Sequence, residues 1–117
     1  MNHRIAILSD IHGDTTALKA VIADARAQGA TEYWLLGDIL LPGPGREDLF
    51  ELLDEIPITA AVRGNWDDCV LEALDGEYGL EDPQEIQMLR LTQYVMEGLD
   101  PKRIDWLRSL RSEEHTS

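Results

Sequence analysis

The chain has 117 residues, of which 44% are hydrophobic and 28% charged, as in one folded domain rather than a disordered segment. It has no run of 18 apolar residues and one cysteine, Cys69, which excludes a transmembrane helix and an internal disulfide and fits a cytoplasmic location. The formal net charge is −13, and residues 47–85 hold thirteen acids against one base. This sign argues against a nucleic-acid-binding surface; the acids either cover solvated helix faces or form an interface for a basic partner.

Three short apolar runs, each closed by glycine or small polar residues, predict buried strands. They cover residues 4–9, 32–36 and 58–62. A helix is predicted to begin after Asp14, a good N-cap residue type, and to stop at Gly29. A second helix is predicted over 47–56, stopped by Pro57, and the Pro-Gly-Pro-Gly segment 42–45 is predicted to be a loop. This alternation is typical of an α/β fold with right-handed parallel crossovers.

Spaced apolar residues predict three more helices in the C-terminal half. They cover about 67–75, 84–97 and 102–110. The last seven residues, Arg111–Ser117, contain no apolar residue and match one reading frame of a widely used sequencing-adapter oligonucleotide. We therefore expect 111–117 to be a non-native tail and 1–110 to be the N-terminal part of a longer domain; a genuine polar terminus is the alternative.

Polar residues follow each of the three predicted strands. They are Asp10-Ile11-His12-Gly13, Gly37-Asp38 and Gly64-Asn65. Ligands of an open parallel sheet bind outside the carboxyl ends of its strands, so these segments should converge. Asp10 and His12 are two residues apart, so on an extended segment both side chains would point the same way and could hold a divalent metal. Asp38 would add a second carboxylate, and Asn65 a neutral oxygen.

These segments resemble the first three motifs of the calcineurin-like metallophosphoesterase family. The resemblance lies within residues 4–68 and rests on Ser9-Asp10-Ile11-His12-Gly13, Leu36-Gly37-Asp38 and Val62-Arg63-Gly64-Asn65. The loop after Asp38 is similar to that of bacterial members. The resemblance implies an α/β two-sheet sandwich flanked by helices. This chain would be its N-terminal half, with βαβαβ order followed by helices.

The resemblance also implies a two-metal site that hydrolyses a phosphate ester through a bridging hydroxide. By position, Asp10 and His12 would bind the first metal and Asp38 would bridge both. Asn65 would bind the second metal and hold the phosphate, which makes it the catalytic residue of this set. Two ions of Mn, Fe, Zn, Co or Ni would suit these ligands. The substrate would be a small phosphomonoester, a phosphodiester or a nucleotide.

The chain departs from the family pattern in two respects. Many members have a histidine after the Gly-Asn pair that protonates the leaving group, whereas this chain has Trp66; Asp67 is a nearby carboxyl that could take that role. The family also requires further histidines in later motifs, and this chain has only His3, His12 and His115. We therefore expect catalysis from the intact parent protein and none from this fragment alone.

A function of another class is a non-catalytic acidic α/β signalling or metal-binding domain. The length, the acidity and the βαβαβ order would fit a receiver that accepts a phosphoryl group. Such a receiver needs a lysine on a later strand, but the only lysines, Lys19 and Lys102, fall on predicted helices. His12 would also have no place in its site.

Overall fold

A computed structural model of the chain describes residues 3–112, which form a four-stranded parallel sheet and five helices. The strands lie side by side in chain order: β1 (Ile5–Leu8), β2 (Glu32–Leu35), β3 (Ile58–Arg63) and β4 (Arg111–Ser112). The helices are α1 (Thr15–Ala27), α2 (Glu47–Leu53), α3 (Asn65–Leu74), α4 (Pro83–Glu97) and α5 (Pro101–Ser109). The predicted α/β fold, with βαβαβ order followed by helices, is confirmed. Within residues 3–112, every helix is too short or too polar to cross a bilayer.

The pairing of the first three strands brings their carboxyl ends to one edge of the sheet. Leu8 is in register with Leu35 of β2, and Leu35 is in register with Ala61 of β3. The ladder between β2 and β3 has one irregularity, between Tyr33 and Trp34. All these pairs are parallel, so the turns that follow the three strands emerge next to one another.

The second helix is shorter than the sequence predicts. It ends at Leu53, and the chain then closes a tight turn in which the Glu55 N–H donates to the Leu52 carbonyl and the Ile56 N–H to the Leu53 carbonyl. These bonds span three residues rather than four, as at many helix ends. The turn still buries Ile56 in the core, which explains why its spacing resembled a continuing helix.

Two residues of the predicted tail pair with the sheet. Arg111 is in register with Val62, and Ser112 with Arg63. The Ser112 hydroxyl donates to an Asp68 carboxylate oxygen at 2.6 Å. Residues 113–117 lie outside the described residues. The boundary at residue 110 and the non-native origin of 111–117 therefore stay predictions.

The core lies on one face of the sheet. Leu8, Tyr33 and Leu35 are buried there, whereas Ile5 and Ile7, at alternate positions of β1, are 41% and 56% exposed. Alternate side chains of a strand point to opposite faces, so the other face of β1 is open to solvent. The helices contribute much of the rest of the core, including Leu18, Ile22, Leu49, Phe50, Leu53, Val70, Leu71, Val95, Ile104 and Leu107, and the turns add Ile11, Ile39, Leu40 and Leu41.

An arginine joins α5 to α2. The Arg103 guanidinium, which is 11% exposed, donates to Glu47 at 2.8 Å and bonds both carboxylate oxygens of Asp54 at 2.7 and 2.8 Å. It also lies over the Phe50 ring, 5.5 Å from the ring centroid. The hydrogen bond from Arg103 is the main cause that lowers the pKa of Glu47, and it likewise lowers the pKa of Asp54.

Replacing Arg103 by Met should lower the melting temperature at pH 7 and flatten its decline in acid. The two carboxyls have lowered pKa values in the folded chain, so their stabilising contribution is present above their ordinary values of 4.5 and 3.8. It is lost as the pH falls through the lower folded values. Thermal unfolding followed by circular dichroism from pH 7 to about pH 3 measures both effects.

Arg90→Met is the matched control, because it removes the same charge from an exposed position on α4. Its melting temperature should stay within about 2 °C of the unmodified chain, as for most surface substitutions. Parallel curves of melting temperature against pH for the unmodified chain and Arg103→Met would contradict the proposed contribution of these ion pairs.

Candidate metal centre

The turns that follow the first three strands are joined by backbone hydrogen bonds. The His12 N–H donates to the Asp38 carbonyl and the Gly13 N–H to the Ile39 carbonyl, both at 2.8 Å. On the other side, the Trp66 N–H donates to the Asp38 carboxylate at 3.0 Å. The structure therefore brings together the three segments that the sequence singled out.

Asp10, His12 and Asp38 form the candidate metal centre. One ligand atom from each lies within 4.8 Å of the others, and His12 Nε2 is 3.5 Å from Asp10 Oδ1. Asp10 is exposed, and the other two are half-buried. Two carboxylates and an imidazole at this spacing are a donor set that suits a divalent transition metal.

A backbone carbonyl fixes the tautomer of His12. Its Nδ1 lies 3.0 Å from the Leu41 carbonyl oxygen. A carbonyl oxygen can only accept, so Nδ1 carries a hydrogen, and Nε2, on the side of Asp10, is the nitrogen left to bind a metal. In most metal-binding histidines, the ring nitrogen that does not bind the metal donates a hydrogen bond of this kind, which orients the ring. The Trp66 ring packs edge-on against the imidazole, with the ring centroids 6.2 Å apart.

The segment that carries Asp10 and His12 is not extended, so our geometric reason for their proximity was wrong. Their φ angles are 55° and 49°, in the left-handed region, and Asp38 has 53°. Successive N–H groups of an extended chain point to opposite sides, but those of His12 and Gly13 both reach the turn after β2. The left-handed turn makes this possible, at a cost of about 1–2 kcal/mol per non-glycine residue.

Two glycines allow the turns after β2 and β3 to touch. Gly37 has φ 100°, and a Cβ built on it would collide with the backbone nitrogen of Gly64. A Cβ on Gly64 would collide with the Asp38 carboxylate. This close approach sets the N-terminus of α3 against Asp38.

Asn65 is the first residue of α3 and is exposed. It lies between Gly64 and Trp66, both of which are in close contact with Asp38. Its function as a metal and phosphate ligand stays a prediction.

Asp67 is fully buried, whereas the sequence indicates only a carboxyl near the site. Its carboxylate accepts hydrogen bonds from the N–H groups of Ile39, Leu40 and Gly64, at 3.0, 3.2 and 3.1 Å. Burial raises the pKa of Asp67, while these donors act in the opposite direction. An acid three residues after a helix N-cap was the available signal, because that position commonly bonds the N-cap N–H. Facing the backbone in this way, Asp67 is poorly placed to protonate a leaving group.

A cleft of about 760 Å³ opens beside Asp10 and His12. One of its walls is formed by Pro42, Gly43 and Pro44, so the predicted loop 42–45 borders the candidate centre. The Gly43 N–H donates to the His12 carbonyl at 2.7 Å, which ties this loop to the turn after β1. A small ligand could therefore reach both side chains from solvent.

The family model of the calcineurin-like phosphoesterases matches residues 3–113. The chain belongs to this family. An uncharacterized protein of Methanocaldococcus jannaschii is 38% identical over 79 residues, which are 64% of this chain and 32% of that protein. The crystal structure of a metallophosphoesterase from Sphaerobacter thermophilus matches with a TM-score of 0.67 and 29% identity, over 94% of this chain and 42% of that chain. The chain thus spans less than half the length of either relative.

Family membership confirms the resemblance drawn from the three motifs. The Asp10, His12 and Asp38 group offers a place for a metal.

Gly37→Ala should destabilise the chain far more than Gly76→Ala. Both glycines have positive φ, 100° and 78°, but a Cβ at Gly76 meets no atom within 4 Å. Gly76→Ala, the control, should therefore lower the free energy of unfolding only by the cost of a left-handed alanine, about 1–2 kcal/mol. Gly37→Ala should lower the free energy of unfolding by at least about 2 kcal/mol more, because the turn after β3 must move to admit the new Cβ. Urea unfolding measures the difference, and equal losses would contradict the close approach.

Proposed function

We propose that this chain supplies the first metal-binding half of a phosphoesterase site. The intact protein would hydrolyse a phosphate ester through two metal ions. The observation that supports this most directly is the group of Asp10, His12 and Asp38, whose ligand atoms lie within 4.8 Å in a chain of the calcineurin-like family.

Each residue would have a distinct function in the intact site. Asp10 and His12 would bind the first ion, and Asp38 would bridge both. This assignment for Asp38 is supported by its position, since its carbonyl bonds the turn after β1 and its carboxylate bonds the N-terminus of α3. Asn65 would bind the second ion and the phosphate, at a helix N-terminus, where the helix dipole favours an anion.

The donor set fits Mn, Fe, Zn, Co or Ni, because two carboxylates and one imidazole with a free lone pair suit these ions. When bound, two such ions supply a water of lowered pKa as the nucleophile and offset charge on the phosphoryl oxygens. The side chains of this chain would hold and orient the site, and its cleft would admit a small phosphorylated substrate such as a nucleotide. With a net charge of −13, the bare chain attracts cations and repels phosphate, so metal would bind before substrate.

Catalysis would belong to a longer protein than this chain. The chain spans 32% and 42% of the two relatives, and the family pattern requires histidines beyond His12. We expect the 117-residue chain to bind one ion and to leave an aryl phosphate unchanged in the presence of Mn²⁺. The assay is release of p-nitrophenol. Metal-dependent turnover by the 117-residue chain that survives further purification would contradict the assignment of catalysis to a longer protein.

A metal-binding domain without catalysis is the second candidate. Trp66 cannot protonate a leaving group as the family's usual histidine does, and the Asp67 carboxylate faces the backbone. These two observations favour binding over hydrolysis. The two candidates differ in turnover by the longer protein and agree on metal binding by this chain.

The metal site can be tested on the chain alone. Asp10→Asn should weaken Mn²⁺ binding by more than about tenfold, because it removes a charged ligand. Asn tolerates the left-handed φ of this position, so the fold should survive. Asp24→Asn, at an exposed position of α1, removes the same charge and should leave the affinity unchanged. Electron paramagnetic resonance of free Mn²⁺ measures binding.

Trp66 provides a second measurement. Its ring lies 6.2 Å from the His12 ring, so Co²⁺ bound at His12 should quench its fluorescence. Trp66→Phe should remove most of this quenching, because Co²⁺ should quench the fluorescence of Trp34 and Trp106 only weakly. If neither Mn²⁺ nor Co²⁺ binds the unmodified chain in a way that depends on Asp10, the proposed half-site is wrong.

A further inference from the structure

Asp67 differs from the other acids of the chain in its surroundings. Among the acidic side chains in residues 3–112, it alone is buried, with 0% exposure. Its two carboxylate oxygens accept hydrogen bonds from three backbone N–H groups. A carboxylate removed from water in this way is costly unless such donors replace its hydration.

The three donors come from two separate turns. Ile39 and Leu40 directly follow Asp38 in the turn after β2, whereas Gly64 directly precedes Asn65. One carboxylate therefore joins the turn that carries Asp38 to the turn that carries Asn65.

The turn after β2 depends on this carboxylate for its backbone hydrogen bonds. Ile39 and Leu40 are 0% exposed and lie outside any helix or strand, so without Asp67 their N–H groups would be buried without an acceptor. Asp38 also has a φ of 53°, a conformation that persists only when the surroundings hold it in place.

We propose that Asp67 is a positioning residue, which holds Asp38 in its left-handed conformation within reach of Asp10 and His12. It would contact neither metal nor substrate. The inference rests on the proposed function, because Asp38 matters only if the centre binds metal.

Asp67→Asn tests this with little change of shape. An amide offers one oxygen where the carboxylate offers two, and its NH₂ group cannot accept from the Gly64 N–H. Mn²⁺ affinity should fall by about 10- to 100-fold, as when other groups that orient metal ligands are removed. Without metal, amide hydrogen exchange measured by NMR should accelerate at Ile39, Leu40 and Gly64, and less at β1 and β2.

Two control variants separate positioning from other effects. Asp68→Asn removes a charge at the neighbouring position, where the carboxylate pairs with Arg63 at 3.2 Å, and so controls for a lost attraction to cations. Val70→Ala truncates a fully buried core residue of the same helix and so controls for lower stability. Both should keep Mn²⁺ affinity within about threefold of the unmodified chain, well inside the loss expected for a positioning group.

Each outcome decides the question. Unchanged Mn²⁺ affinity in Asp67→Asn would overturn the inference and leave the metal site standing, as would an equal loss in Asp68→Asn or Val70→Ala. If the unmodified chain binds no Mn²⁺, the proposed half-site fails, and amide exchange alone then decides whether Asp67 holds the turn. If Asp67→Asn does not fold, exchange in the unmodified chain decides. Protection of Ile39 and Leu40 comparable to that of β2 would support the inference, and unprotected amides would overturn it.

Discussion

The parallel pairing of β1, β2 and β3 in chain order is the constraint on which the candidate centre depends. The hydrogen bonds between strands do not stop where the strands end. The Leu36 N–H still donates to the Leu8 carbonyl, and beyond it the His12 N–H donates to the Asp38 carbonyl. The hydrogen-bond pattern of the sheet thus continues into the turns. The backbone that carries the proposed ligands is held by its own N–H and C=O groups, which need hydrogen-bond partners when buried. These bonds use no side-chain oxygen of Asp10 or Asp38, and the Asp38 carboxylate, which accepts the Trp66 N–H through one oxygen, keeps the other for an ion.

The strands and most helices follow from local patterns, because short apolar runs and glycine stops are signals contained within each segment. The geometry of the centre is different. Spacing alone cannot distinguish an extended segment from a left-handed turn, so the proximity of Asp10 and His12 was predicted for the wrong reason. Asp67 was missed because its partners Ile39 and Leu40 are 28 and 27 residues away. The one local signal, an acid three residues after the N-cap Gly64, predicts the bond to the Gly64 N–H but not the burial of the carboxylate.

The acidic middle of the chain is partly neutralised by the C-terminal helix. Arg103 of α5 bonds Glu47 and Asp54, and Arg108 lies 2.9 Å from Asp75. Part of the charge excess in residues 47–85 therefore has an intramolecular partner, which the two initial interpretations, solvated faces or an external basic partner, did not include. The same ion pairs hold α5 against segments that lie 33 to 56 residues earlier in the chain. Electrostatic contacts thus help to pack the helices, whereas the sheet is built from strands that follow one another in the sequence.

The outer edge of β1 has a consequence for the behaviour of the chain in solution. Within residues 3–112, β1 pairs on one side only, and Ile5 and Ile7 are exposed beside that edge. An open edge with apolar side chains is a template for adding strands from other molecules. At neutral pH the net charge of −13 keeps such molecules apart, but salt screens this repulsion and it vanishes near the isoelectric point of about 4.4. Resistance to this association thus rests on charge that the sheet itself does not provide, and it should be greatest at low salt and neutral pH.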